Sequence, residues 1–547
     1  MHIIIKHVWF HSTIKINYIP MKIAGFSSLW LFFIILSLGS SCDRDPVLDP
    51  EDFRHYIDSF NLNDAEVYRN EITNDESWEF ISGNIPLFDC PDKQMEQTYY
   101  FRWWTYRKHI KNTPDGYVVT EFLPDVPWGG KYNTINCAAS FHFYEGRWMH
   151  DQKYLNDYAR FWFRGGGSIR KYSCWISDAL YNHFLVTGDQ TLIVDLFPDM
   201  ISNYEAWENE KLDSNGLFWQ FDGYDGMELS ICGSGYRATI NSYMYAEAEA
   251  VSEIAGLTGN DEVSERFLKK ALTIKDNIQN MLWDDNDSFF KVLPREDQGE
   301  LCKTRELHGY TPWYFNIPDS VYSEAWRFLM DTAYFFAPYG LVTAERSDSE
   351  FKISYEGHEC QWNGPSWPYS TSVTLTGLTN LLNNYSQDYI TRKDYFKLLG
   401  IYSDSHKLKR EDGKTVPWID ENLNPFTGDW IARTRLKEWE NGTWSREKGG
   451  VERGKDYNHS TFCDLLITGL IGLRPQSGNK LIINPLIPED TWDYFCLDNI
   501  LYHGKILTIV YDKTGKRYKK GRGLRVWVDG KPAAVSPDLK RLVVSIS

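Results

Sequence analysis

The chain alternates between two hydrophobic periods. From Gln97 to about Gly472 apolar residues recur at helical spacing, as in Ala246, Ala250, Val251, Ile254 and Leu257, which share one face of a 3.6-residue repeat. That helix is expected to stop at Thr258-Gly259-Asn260-Asp261, and an earlier one at Thr187-Gly188-Asp189. In both, glycine supplies the left-handed residue that ends one helix, and Asp or Asn caps the next. Further helices are expected at 98–111, 132–144, 151–164, 172–187, 191–208, 262–282, 319–332, 366–383, 387–401 and 459–472. Joined by short turns they make a series of helical hairpins, and such a series can close into a ring.

Beyond Pro475 the period changes to two. The stretches 480–483, 497–502, 505–511, 524–528 and 542–546 read as strands, with tight turns at His503-Gly504 and Asp529-Gly530. The expected fold is mainly α, a toroid of helical hairpins with a small C-terminal antiparallel β domain. Residues 1–41 form a signal region, 42–96 a tether and N-terminal extension, 97–474 the helical body and 475–547 the β domain. The basic stretch from Lys513 to Arg522 reads as a solvated loop.

The N-terminus looks like an address. From Met21, the expected true start, a lysine precedes an apolar run from Leu29 to Leu36 and small residues up to Cys42, the order of a secretory signal. The run is too short to span a bilayer stably. Its end, Gly39-Ser40-Ser41-Cys42, resembles a bacterial lipoprotein signal, which implies a lipid anchor on Cys42 and an outer-membrane lipoprotein facing the periplasm or the cell surface.

Charge and composition narrow the function. With 58 Lys+Arg against 75 Asp+Glu the formal charge is −17, which disfavours nucleic acid as a partner. Aromatic residues make up 16% of the chain, excluding disorder and raising carbohydrate as a ligand, since flat rings stack on the C–H faces of sugars. The nine cysteines include no C-x-x-C pair and no zinc spacing, and no disulfide pairing can be assigned.

Several chemistries are excluded by motif. The chain has no phosphate loop of the form G-x-x-x-x-G-K-[ST], no H-E-x-x-H, no G-x-S-x-G elbow and no dinucleotide fingerprint. No histidine pair has ligand spacing with a third partner, so no metal is expected, although His358 beside Glu359 could line a pocket. Paired carboxylates remain. One acidic cluster is Phe221-Asp222-Gly223-Tyr224-Asp225-Gly226-Met227-Glu228, and a second runs from Trp418-Ile419-Asp420-Glu421 to Asp429. Breaking a glycosidic bond needs a protonated carboxyl at the leaving oxygen, which a dry aromatic neighbourhood favours, and a second carboxylate to activate water. On residues alone either cluster also fits a solvated loop or a helix cap, and composition does not pick the partners. Between them, Tyr355 to Tyr369 offers stacking planes and hydroxyl ligands together.

These motifs resemble the (α/α)6-barrel, or six-hairpin, glycosidases, in particular the mannosylglycerate-hydrolase-like and processing α-glucosidase enzymes of glycoside hydrolase family 63. The similarity runs over about 97–475. Gln361-Trp362-Asn363-Gly364-Pro365-Ser366-Trp367 is similar to the family's Tyr-Trp-Arg-Gly-Pro-x-Trp segment, with Asn363 in place of Arg. Gly223-Tyr224-Asp225-Gly226 stands where the family has an aromatic–Asp pair, which implies Asp225 as general acid, with Asp222 and Glu228 as rivals because the continuation differs. Glu421-Asn422-Leu423-Asn424-Pro425-Phe426-Thr427-Gly428 is similar to Glu-x-Tyr-x-Pro-x-Thr-Gly and implies Glu421 as general base. The β domain loosely resembles those of α-L-rhamnosidases.

The resemblance implies an exported hydrolase of oligo- or polysaccharide, acting on an α-linked bond by inversion, with the two carboxyls roughly 6.5 to 9.5 Å apart. Trp362, Trp367 and Tyr224 would shape the subsite; Gln361, Asn363 and Arg237 would bond sugar hydroxyls, unless Arg237 pairs with Glu228; Trp128 and Trp175 would stand at the rim. No cofactor is called for, because both catalytic groups are side chains. A phosphorolytic transferase of the same fold and a catalytically inactive glycan-binding protein are the alternatives.

Overall fold

The structure is a computed structural model and describes residues 46–296, 299–358, 360–438 and 450–546. The leader with Cys42, and Glu359, lie outside these residues.

The helical region is an (α/α)6 toroid. Helices buried on nearly every face alternate with helices buried along one stripe, the pattern of an inner and an outer ring. Asn136–Gly146 is buried at every position, including His142 and Glu145, whereas the following Lys153–Arg164 is buried only on the side of Tyr154, Leu155, Tyr158 and Phe161. Ile176–Thr187 and Thr191–Lys211, Ala238–Leu257 and Asp261–Asn277, and Pro368–Asn384 and Arg392–Ser405 repeat this inner and outer alternation. The ring closes where the helix Lys93–Lys108 meets the last inner segment: Arg102 donates to Ser460 Oγ at 3.0 Å and to Ser460 O at 2.7 Å.

Local chemistry sets the boundaries. Gly188 takes φ 71° and caps its helix, and Asn260 accepts from Val263 N at 3.3 Å, so both anticipated hairpin turns form. The helix expected from 132 begins at Asn136, because Tyr132 and Asn133 take left-handed conformations. The one expected at 98–111 is Lys93–Lys108, begun by Asp92, which accepts from Gln94 N and Met95 N. The one expected at 387–401 starts at Arg392, where Thr391 and Asp394 form a capping box. Residues 320–328 wind as a 3-10 helix and 465–470 as a π-helix.

The β domain has two antiparallel sheets. One orders its strands Leu87–Asp89, Tyr494–Tyr502, Lys505–Asp512, Gly523–Val528 and Lys531–Ser536; the other orders Leu473–Arg474, Lys480–Ile483 and Leu542–Ser545. The N-terminal extension thus lends one strand to the β domain, while its helix Arg54–Leu62 packs on Lys93–Lys108 of the helical body, with Tyr56 Oη bonded to Glu96 and Trp104 Nε1 to Asn61. Leu87 pairs with Asp498 and Asp89 with Cys496, and Asp498 accepts from Val47 N and Leu48 N. The basic stretch from Lys513 is not wholly solvated: Arg517 pairs with Asp89 at 2.9 Å and lies over the Tyr494 ring. Trp103, Trp148, Trp162, Trp175, Trp313 and Trp326 are among the fully buried tryptophans, so much of the aromatic content fills the core.

Candidate active site

Both acidic clusters reach one cavity of about 360 Å³ in the helical region. The first arrives on a loop in which Asp222–Asp225 forms a 3-10 turn and Gly226 takes φ 71°. A Cβ on Gly226 would lie 2.7 Å from Cys137 Sγ, so only glycine lets the loop press against the cavity wall.

This turn sends its carboxylates to different places. Asp225 is buried behind the wall, where its Oδ2 accepts from Arg237 Nε at 2.7 Å and also from Thr239 Oγ1. Arg237 is itself fully buried and donates to Ser230 Oγ and Gly233 O, so its partner is Asp225 and not Glu228, and it does not present donors to the cavity. Glu228 lines the cavity. Burial pushes its carboxyl up to about 7, with the charges of Asp222, Glu121 and Glu421 adding to the effect. Glu228 O accepts from Trp362 N at 3.1 Å, and Leu229 beyond it holds φ 62°.

Glu421 enters from the second cluster. Its segment is pinned by paired backbone bonds between Leu423 and Ser366, and by Ile431 N donating to Asn422 O. Arg453 grips the carboxylate with Nε 2.8 Å from Oε1 and Nη2 3.1 Å from Oε2. Burial raises the Glu421 carboxyl above its ordinary range, Arg453 opposes, and Asp420 adds to the rise. Asp420 is held in turn by Arg433 Nε at 3.2 Å and accepts from Glu421 N at 3.0 Å.

A third carboxylate was not singled out by the sequence. Glu121 lines the cavity, and its Oε1 accepts from Tyr457 Oη at 2.7 Å and lies 2.9 Å from His459 Nδ1. Glu121 Oε2 and His459 Nε2 are buried with no hydrogen-bond partner in the protein. The only sequence signal was position: Glu121 opens the segment that ends at Trp128, and His459 opens the last expected helix.

The aromatic candidates separate in the same way. Trp367 and Trp128 line the cavity, as does His358. Trp362 stacks behind Trp367 with ring centres 4.7 Å apart, and Arg453 lies over Trp128 at 4.7 Å. Gln361 and Asn363 are beside this pair, and Gln361 Oε1 and Asn363 Oδ1 are buried without partners. Tyr224 is half-exposed and packs edge-on against Tyr172, which lines the cavity. Trp175 is not at the rim: it is fully buried among Phe141, Tyr243 and Tyr314. Among the described residues no group of three His, Cys, Asp or Glu is placed to hold a metal.

A helical toroid with an appended β domain, and two carboxyls from separate segments facing a tryptophan-lined cavity, define the class of (α/α)6 glycosidases. Residues 131–460 match the family described as mannosylglycerate hydrolase MGH1-like glycoside hydrolase domain, and 473–535 match the C-terminal domain of glycosyl hydrolase family 65. The chain belongs to the MGH1-like glycoside hydrolase family. A solved chain named "Sialidase" is 43% identical, with a TM-score of 0.84 over 91% of this chain and 45% of its own. A Borreliella burgdorferi protein described as uncharacterized is 22% identical over 227 residues, covering 40% of this chain and 46% of that protein. The glycoside hydrolase family 78 rhamnosidase of Bacillus sp. GL1 shares the fold at 11% identity, with a TM-score of 0.51 over 78% of this chain and 40% of that one. This chain therefore spans less than half the length of each of these relatives.

Proposed function

We propose that the protein is an exported glycoside hydrolase that cleaves an α-linked oligo- or polysaccharide with inversion. Glu228 donates a proton to the leaving oxygen, and Glu421 takes a proton from the attacking water. The observation that carries this reading is that both groups line one cavity in different surroundings. Glu228 lines the cavity with its pKa lifted toward 7, a carboxyl that holds its proton near neutral pH, while Glu421 is aimed by a two-point bond to Arg453. Asp225, the acid implied by the family motif, bonds Arg237 and Thr239 through Oδ2, while its Oδ1 is buried without a partner in the protein; in this reading it braces the loop that presents Glu228. Trp367 and Trp128 frame the bound sugar, and Glu121 with His459 offers acceptor and ring nitrogen to its hydroxyls.

Export as a lipoprotein anchored at Cys42 belongs to the same proposal. It is supported by the leader pattern and by the disulfide Cys232–Cys302, a bond that persists in oxidising compartments. Among the described residues no helix is long and apolar enough to cross a membrane.

The test is sugar release by the chain from residue 43 on a panel of α-mannosides, α-glucosides, α-rhamnosides, sialosides and plant or host glycans, read beside Glu228→Gln, Asp225→Asn and Glu421→Gln. Loss in Glu228→Gln and Glu421→Gln supports the assignment. Release without phosphate, with the freed anomer followed by NMR, separates hydrolysis from phosphorolysis and inversion from retention. Binding without release from the unaltered protein would leave the glycan-binding alternative standing.

A further inference from the structure

Three large apolar side chains, Phe221, Tyr224 and Leu229, stand out from the loop that carries Glu228, each 48% exposed. Two of them belong to a continuous row of rings. Tyr172 lines the cavity; Tyr224 meets it edge-on at 6.0 Å, and Phe221 meets Tyr224 edge-on at 6.1 Å. At the outer end Phe221 packs at 5.2 Å on Trp219, whose ring carries Lys211 at 3.8 Å and Arg295 at 3.9 Å. The row is also fixed from behind. Ser173 N donates to Tyr224 O at 2.9 Å, and Arg295 Nε is bonded to Asp213 at 2.8 Å.

From this arrangement we infer that the Tyr172–Tyr224–Phe221 row is a binding track for the part of a glycan chain that extends out of the cavity. The inference rests on the glycosidase reading for its ligand class. Exposed rings packed edge to edge have fewer orientations to lose on binding, and their faces suit the C–H faces of sugars. The row begins at the cavity wall beside Glu228, so a chain whose terminal sugar is seated there passes over it. A second copy of this protein is a poorer occupant, since a stable dimer buries about 800 Å² on each partner, far more than three side chains offer. The substrate is accordingly a chain of several sugars and not a single glycoside.

The test uses the Glu421→Gln protein in native gels containing yeast α-mannan, dextran or rhamnogalacturonan. Retardation in at least one gel is expected, weakened about ten-fold in apparent affinity by Phe221→Ala combined with Tyr224→Ala. Phe221→Trp, which keeps a ring in place, is expected to retain it. Each single alanine variant, made at an exposed position, is expected to give part of the loss. Equal retardation of all variants, or retardation in none of the three gels, overturns the track. A concentration-dependent dimer in sedimentation, abolished by the alanine pair, overturns it in favour of self-association. The hydrolase reading fails separately: if the unaltered chain releases no sugar yet retardation depends on these rings, the track stands without the catalysis.

Discussion

Arg453 can reach both oxygens of Glu421 because Gly454 follows it with φ 48°. A Cβ at position 454 would collide with the Asp420 carboxylate and come within 3.3 Å of Glu421 Cγ. The chain therefore passes against Glu421 with no side chain between them, in a conformation that other residues adopt at a cost. Gly454→Ala is expected to cut kcat by more than about ten-fold, the penalty for misplacing a catalytic group by a fraction of an ångström. Arg453→Lys, which replaces the fork by a single point charge, is expected to fall in the same direction. Steady-state rates on the best substrate from the panel check both.

The acid assignment separates by leaving group. A carboxylic acid matters when the departing oxygen is basic, and little when it leaves as a stabilised phenolate. Glu228→Gln is expected to lose roughly 10² to 10⁴ in kcat on the natural glycan while keeping most activity on a dinitrophenyl glycoside. Asp225→Asn is expected to behave differently, since it leaves the buried Arg237 without its ionic partner. Breaking such a pair costs about 3 to 5 kcal/mol, so a lower melting temperature and equal loss on both substrates are expected. A leaving-group dependence in Asp225→Asn and none in Glu228→Gln would reverse the two roles.

With Glu228 as the proposed acid, its carboxyl is expected to set the alkaline limb. With the Glu228 carboxyl pushed up to about 7, the protonated form is depleted above that pH, and kcat/KM is expected to fall there. The acidic limb belongs to Glu421, whose carboxyl is raised above its ordinary 4.5, so activity is expected to decline before pH 4.5 is reached. On the dinitrophenyl substrate Glu228→Gln is expected to lose the alkaline limb and keep the acidic one. A full pH series on both proteins decides this.

The hairpins, their glycine turns and the C-terminal strands were legible because each rests on a local pattern: apolar period, left-handed glycine, alternating strand. The turn that brings Glu421 to the cavity lies in a motif that stands out in the sequence. What stayed hidden depends on contacts between distant segments. Nothing local separates Asp225 from Glu228, three residues apart on one glycine-rich loop; their fates are set by Arg237 and Thr239 on one side and the cavity on the other. Glu121 meets Tyr457 and His459 across more than 300 positions of chain. Ile85 to Phe88 reads as extended in the sequence, but the place of Leu87–Asp89 in the sheet is set by residues 496–498, more than 400 positions along the chain.

The disulfide Cys232–Cys302 ties the loop after Glu228 to the segment leading to Glu306, which also accepts from Ile231 N at 2.8 Å. Removing a link of this kind frees the unfolded chain and loosens the loop. Cys232→Ser combined with Cys302→Ser is expected to lower the melting temperature and to raise backbone exchange over 226–235 in hydrogen–deuterium measurements. Unchanged exchange there would mean that the Arg237–Asp225 pair holds the loop unaided.

Two sets of buried groups shift stability with pH in opposite directions, and above pH 6.5 only one of them still acts. Burial lowers His109, His142 and His406 to about 3 and His183 to about 4. The unfolded chain, with ordinary histidines, therefore binds more protons at these sites below pH 6.5, which on its own makes stability rise with pH up to that point. The carboxyls do the reverse. Burial raises Asp178 to about 8, and Glu247 and Glu228 to about 7, so the folded chain holds protons that the unfolded chain has released. Their contribution is present in full below the ordinary carboxylate range and is lost as pH climbs through 7 and 8. Above pH 6.5 the histidine effect is complete and the carboxyls alone set the slope. The melting temperature is thus expected to fall between pH 7 and pH 9. Asp178 lies among Tyr144, Asn182 and the charges of Glu247 and Glu249, and an amide can keep the bonds to Tyr144 and Asn182 without ever ionising. Asp178→Asn is expected to flatten the fall, and an unchanged slope in that variant would assign the alkaline loss to the two glutamates.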